Sequence, residues 1–128
     1  MLVYIFALVV LSAVLVAHLF GIDGWYYQFE PYDTIMHFAG GAGIGLFVAG
    51  LVHTCYDRTK ITFRNIFIGV MIAGVGWELF EIYFEITGHP LWTTLYYLDT
   101  VKDLIMDTLG GLVVTYLMTR NHKKLPLE

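Results

Sequence analysis

Four apolar stretches leave this chain of 128 residues little choice of fold. They run over about 2–20, 34–55, 63–87 and 101–119, and each meets or approaches the ~20 apolar residues that cross a bilayer as a helix. Lipid offers the backbone no hydrogen-bond partner, so such segments must satisfy themselves as helices. Composition agrees, with 58% hydrophobic and 14% charged residues, against about 25% charged in an ordinary soluble domain. The expectation is all-α: an integral membrane bundle of four transmembrane helices, with 1–128 as a single transmembrane domain. The first stretch lacks a cationic leader flank and exceeds a leader's apolar length, which predicts an uncleaved helix. Cys55 is alone, which rules out an internal disulfide and points away from a cysteine metal site. No basic patch suits nucleic acid.

The cations set an orientation. Arg58, Lys60 and Arg64 fill the connection between the second and third stretches, and Arg120, Lys123 and Lys124 follow the fourth. Only Lys102 lies on the other side. The positive-inside rule therefore predicts cytoplasmic termini in a multi-pass protein of the cell (inner) membrane. The connections over 21–32 and 88–98 then face outward. Both are rich in aromatics (Trp25, Tyr26, Tyr27 and Tyr32; Trp92, Tyr96 and Tyr97), which favour the headgroup level.

Ionisable groups interrupt three of the four stretches: Asp33 and His37; Glu78, Glu81 and Glu85; Asp99, Asp103 and Asp107. Charge inside a membrane helix is costly and marks a functional site by default. The predicted topology brings all of these groups to one depth, just below the outer surface, although topology and acids are read independently. Residues three, four or seven apart share a helix face, so Glu78–Glu81–Glu85, Asp33–His37 and Asp103–Asp107 form three stripes. At low dielectric such carboxylates repel unless a cation or shared protons intervene. Carboxylates with one imidazole suit a divalent metal such as Mn, Mg, Fe or Zn. The expected metal ligands are His37, Glu78, Glu81, Asp103 and Asp107, with Glu85 or Asp33 as catalytic base.

A short repeat supports a built site. Asp33-Thr-Ile-Met-His37-Phe-Ala-Gly40-Gly41 aligns with Asp103-Leu-Ile-Met-Asp107-Thr-Leu-Gly110-Gly111, five of nine positions being identical at an offset of 70. If the repeat is structural, the second and fourth helices flank the third, and His37 and Asp107 occupy equivalent places.

Plainer roles compete for some of these residues. Asp33 and Asp99 each precede a Thr and could cap helices. Glu85 lies near enough to the surface to be merely solvated. Lys102 either snorkels outward or neutralises an aspartate. His18 reads as a lone interfacial histidine, while His53, His89 and His122 carry no signal. Gly41, Gly45 and Ala49, with Gly69, Ala73 and Gly76, make close-packing faces and suggest a homo-oligomer. Trp77 is either a wall of the site or ordinary packing.

The three motifs, Asp33-Thr-Ile-Met-His37-Phe38-Ala-Gly40-Gly41, Trp77-Glu78-Leu-Phe-Glu81 and Asp99-Thr-Val-Lys-Asp103-Leu-Ile-Met-Asp107-Thr-Leu-Gly110, resemble those of YjdF-like bacterial and archaeal membrane proteins. More distantly the chain is similar to VanZ-like proteins, linked to glycopeptide resistance and the cell envelope. That wider family shares the Asp-x-x-x-His-Phe start and the following Glu, then carries Arg and Asn-Gly where this chain has acids and Gly110-Gly111. The resemblance implies a membrane location and a site, but no reaction.

Two classes of function fit. One is a metal-dependent hydrolase or transferase acting on a lipid or lipid-linked envelope substrate, with membrane lipids as partners. No Ser or Cys is placed as nucleophile; Thr34, Thr100 and Thr108 are weak candidates. The other is an ion- or proton-binding transport subunit, or a metal-stapled structural or resistance accessory protein. The inner halves of the helices hold almost no acids, which tilts the balance toward an outward-facing site.

Overall fold

The computed structural model describes residues 2–29, 31–56 and 60–120. Arg58 and the segment 121–128, with His122, Lys123 and Lys124, lie outside the described residues. Four long helices dominate: α1 (Leu2–Phe20), α2 (Pro31–Cys55), α3 (Phe63–Phe84) and α4 (Thr94–Arg120). No strand occurs among the described residues. Three segments, Leu2–Trp25, Pro31–Cys55 and Phe63–Phe84, are long and apolar enough to cross a membrane. The fourth helix is longer than α3 but carries Asp99, Lys102, Asp103 and Asp107 in its first half.

Several helix ends differ from the expectation, each for a local reason. α4 starts at Thr94 rather than 101, because Thr93 Oγ1 accepts the Tyr96 amide at 3.3 Å and caps the helix there. Asp99 therefore lies inside α4 and caps nothing. α2 opens on Pro31, a favoured first helical residue. Asp33 sits in its first turn with its side chain turned to Lys102, so its expected capping role also fails. α3 stops at Phe84 rather than 87, because Glu85 turns left-handed (φ 57°, ψ 36°). The Ile86 amide then reaches Glu81 O and the Glu85 amide reaches Ile82 O, a closure normally given to glycine.

That closure yields a prediction. The left-handed conformation costs a non-glycine residue about 1–2 kcal/mol, and glycine returns about 0.5–1 kcal/mol of that as backbone entropy. Glu85→Gly is thus expected to stabilise the bundle by about 0.5–1 kcal/mol, read by denaturation in detergent. A loss of stability would mean that the Glu85 side chain makes contacts beyond its backbone role.

Neighbours along the chain pack antiparallel. Tyr4 bonds Thr54 across α1 and α2, Val48 meets Gly69 across α2 and α3, and Thr100 meets Glu78 across α3 and α4. The most extensive interface joins α2 to α4, which therefore run parallel. Along it Asp33 faces Lys102, His37 faces Asp107 and Gly45 faces Gly111. The repeated segments thus meet face to face near their offset of 70, with the equivalent residues His37 and Asp107 opposed across a local two-fold. α3 packs on both helices, but they also pack directly on one another. Contact is close because a Cβ on Gly41 would enter the Asp107 backbone, and one on Gly110 would enter Phe38 O and Ala42 N.

The polarity of the bundle is inverted relative to a soluble protein. Leu8, Ile72, Leu79, Val101 and Ile105 face outward, while His18, His37, Glu78, Asp103, Asp107 and Thr115 are buried. Large exposed apolar surface with buried charge is what a lipid solvent selects. A plug of Ala49, Ile61, Ile66, Val70 and Val114 fills the bundle at the end remote from the acids.

Candidate carboxylate and histidine site

α2, α3 and α4 deliver the charged side chains to one end of the bundle. His37 stands six residues beyond Pro31, at about 9 Å along α2. Its Nε2 lies 3.6 Å from Asp33 Oδ1, one turn earlier, and 3.9 Å from Asp103 Oδ2 on α4. Its other ring nitrogen, Nδ1, lies 3.5 Å from Asp107 Oδ2. The two nitrogens therefore face different carboxylates.

Lys102 serves the opposite oxygens. Its ammonium donates to Asp99 Oδ1 at 2.6 Å and Asp33 Oδ2 at 3.1 Å, and it lies 3.4 Å from Asp103 Oδ1 without a hydrogen bond. Asp33 and Asp103 thus each turn one oxygen to the lysine and the other to His37. Asp33, His37 and Asp103 place ligand atoms within 4.8 Å of one another. Atoms bound about 2.0–2.2 Å from one cation stand roughly 3–4 Å apart, so the spacing at His37 Nε2 fits that demand.

The third helix adds a neighbouring carboxylate. Glu78 faces α4, where Thr100 donates to its Oε2 at 2.7 Å. Its Oε1 is buried without a hydrogen-bond partner, as is Asp103 Oδ1. Orphaned buried oxygens of this kind are uncommon and call for a missing partner. Five carboxylates (Asp33, Glu78, Asp99, Asp103 and Asp107) gather near Lys102 and His37, so most of their charge lacks a counter-charge among the described residues.

Of the expected ligands, the structure brings His37 and Asp103 together and sets Asp107 behind the imidazole. Glu78 lies beside the cluster, held by Thr100. Glu81 accepts from Trp77 Nε1 at 2.8 Å and so stands apart from the cluster. Asp33, expected as a base, stands with His37 and Asp103, their donor atoms within 4.8 Å of one another. Glu85 is exposed at the end of α3 and is not drawn in.

Sequence reasoning underrated two residues. Lys102 touches three aspartates where one was expected, and only α4's early start reveals it. His18 is buried, accepts or donates a 2.7 Å hydrogen bond with Tyr26 Oη, and meets Trp77 edge-on at 4.9 Å. Burial, and then the charge of Asp33, pushes the Tyr26 phenol above its ordinary value, so it stays protonated beside His18. Below this contact a cavity of about 250 Å³ runs among α1, α2 and α3, lined by His18, His37, Trp77 and Asp107 among apolar side chains. Nothing in the sequence signals such a void.

None of the curated proteins and none of the solved structures matches the chain. A family model described as "Predicted membrane protein (DUF2238)" matches residues 1–124, which takes in all four helices and every member of the cluster; the likeness to VanZ-like proteins has no counterpart in that match. With spanning helices, inverted polarity and this match in agreement, the chain belongs to the DUF2238 family of predicted membrane proteins, the family of its YjdF-like resemblance.

Proposed function

We propose that the protein is a metal-dependent membrane enzyme whose cation is held by Asp33, His37 and Asp103, and which acts on a lipid or lipid-linked envelope substrate. One observation carries this reading: His37 and Asp107 belong both to the charged cluster and to the wall of the apolar cavity. A polar centre at one end of an apolar void suits an amphiphile. Asp107 behind Nδ1 gives the carboxylate–histidine–metal arrangement that orients a ligating imidazole. Lys102, on the far oxygens, leaves Asp33 Oδ1 and Asp103 Oδ2 free for the cation.

A cation held by Asp33, His37 and Asp103 would supply Lewis-acid polarisation of an ester or phosphoryl oxygen and would acidify a nearby water. Glu78, with its free Oε1, replaces Glu85 as the candidate base that takes the proton of that water. Thr100 is committed to Glu78 and Thr108 to Leu104 O, which removes two of the three candidate hydroxyls and favours water as nucleophile. Among the described residues Lys60, Arg64 and Arg120 lie at the other end of the bundle, so the positive-inside rule turns the site outward in the cell membrane with α4 as a fourth span. The apolar plug beneath the site favours catalysis or binding over a through-path.

The test is metal content of protein purified in mild detergent and reloaded, followed by turnover of lipid phosphates and esters. Folded protein that retains no metal after reloading would end this reading.

A second reading, an ion- or proton-binding network, gains support from Lys102, which already sets a positive charge among three aspartates. Lys102→Met separates the two. A metal centre is expected to hold its cation as tightly or more tightly without the neighbouring like charge. Metal lost together with the lysine would mean that Lys102, rather than a cation, orders the carboxylates.

A further inference from the structure

We infer that the cavity between α1 and α3 receives one hydrocarbon chain of a membrane lipid, standing with its polar end at His37 and Asp107. This rests on the lipid-substrate reading and adds to it the route and the part of the lipid that is recognised.

The shape comes from how α1 packs. It lies along α2 and touches α3 through His18 and Trp77, whose rings meet at 4.9 Å. Deeper than that contact the two helices part. Leu11, Val14 and Leu15 of α1, Ile44 of α2, and Val70 and Ala73 of α3 line the space between them. Polar groups gather at one end: His18, Tyr26, His37 and Asp107.

The polarity gradient follows the membrane normal. From His18 to Leu11, from His37 to Ile44 and from Trp77 to Val70 the wall descends seven residues, or about 10 Å, on each helix. Polar groups sit at the surface end and aliphatic ones toward the midplane, as in a lipid of that leaflet. The mouth is apolar as well. Leu15 on its rim is 59% exposed and the adjoining Ile72 is 70% exposed, so at this depth the opening meets lipid rather than water.

Size limits the occupant. The cavity of about 250 Å³ falls below the roughly 300–1,000 Å³ of pockets for drug-sized ligands. It fits one chain rather than two. Glycine lets Asp107 sit against α3 at the polar end, since a Cβ on Gly74 would come within 2.6 Å of Asp107 Oδ2.

The test uses a phosphatidylglycerol with a diazirine near the end of one acyl chain, in vesicles containing the purified protein. After irradiation, peptide mass spectrometry locates the adducts. They are expected on Leu11, Val14, Ile44, Val70 and Ala73 above the level on outward-facing Leu8 and Ile105. Ala73→Phe fills the slot and is expected to lower cavity adducts by about tenfold. Leu15→Trp changes only the exposed rim, so it folds even if Ala73→Phe does not, and is expected to lower them in the same direction. Adducts spread evenly over outward faces, or unchanged in Leu15→Trp, would overturn the inference. Running the same measurement on chelator-treated protein keeps the two readings apart. Cavity adducts in metal-free protein support the chain site even where the metalloenzyme reading fails.

Discussion

His37→Ala and Asp103→Asn are each expected to take bound metal from about one equivalent per chain to none, while Asp107→Asn retains metal with affinity lowered about 10–100-fold. The grading follows from which atoms face the centre. His37 Nε2 and Asp103 Oδ2 stand 3.9 Å apart at the candidate cation position, so removing either deletes a donor. Asp107 reaches only Nδ1, at 3.5 Å, and acts on the cation through the ring. Glu81→Gln is expected to leave metal content unchanged, because Glu81 is engaged with Trp77. The check is elemental analysis with isothermal titration on reloaded protein. Equal loss in Asp107→Asn and Asp103→Asn would place the cation between the two faces of the imidazole and refute the assigned geometry.

The assignment shows what the sequence could and could not carry. The charged helices are legible because acids stand out against apolar runs, and the offset of 70 between Asp33–His37 and Asp103–Asp107 puts His37 and Asp107 in equivalent places. Direct contact between them does not follow from that pattern, which sets the second and fourth helices on either side of the third, whereas α2 and α4 pack on one another. Division of labour among the carboxylates did not follow. Seven carboxylates at one depth look alike in a string, and only the direction of each side chain separates Asp33 beside His37 from Glu81 as a partner of Trp77. The start of α4 was hidden because Thr93 caps it from within an aromatic-rich connection. Once α4 begins at Thr94, Asp99 turns from a cap into a partner of Lys102. The burial of His18 depends on Tyr26 and on Trp77, which lies on another helix. The cavity arises where two helices diverge, and divergence leaves no mark on either sequence.

The parallel crossing of α2 and α4 positions the whole site, and Gly110→Ala is expected to break it. A Cβ at that position would run into Phe38 O and come within 2.6 Å of Ala42 N. Those are backbone atoms of α2 and cannot rotate aside, so the helices must separate. Overpacking of ordinary cores costs about 1–3 kcal/mol, and a rigid backbone partner puts this case at or above the upper end. Separation would also draw Asp107 away from His37, so the variant should lose metal affinity as well as stability. Gly76→Ala is the matched control. It lies on α3 with nothing within 4 Å of the added carbon, and the helix propensity of alanine predicts a gain of up to about 1 kcal/mol there. Both variants make the same chemical change inside a membrane-length helix, so membrane insertion and expression are held alike. Denaturation midpoints in detergent should therefore move in opposite directions. If Gly110→Ala proved as stable as Gly76→Ala, the two repeated segments would not be in close contact, and the site built on their opposition would have to be redrawn.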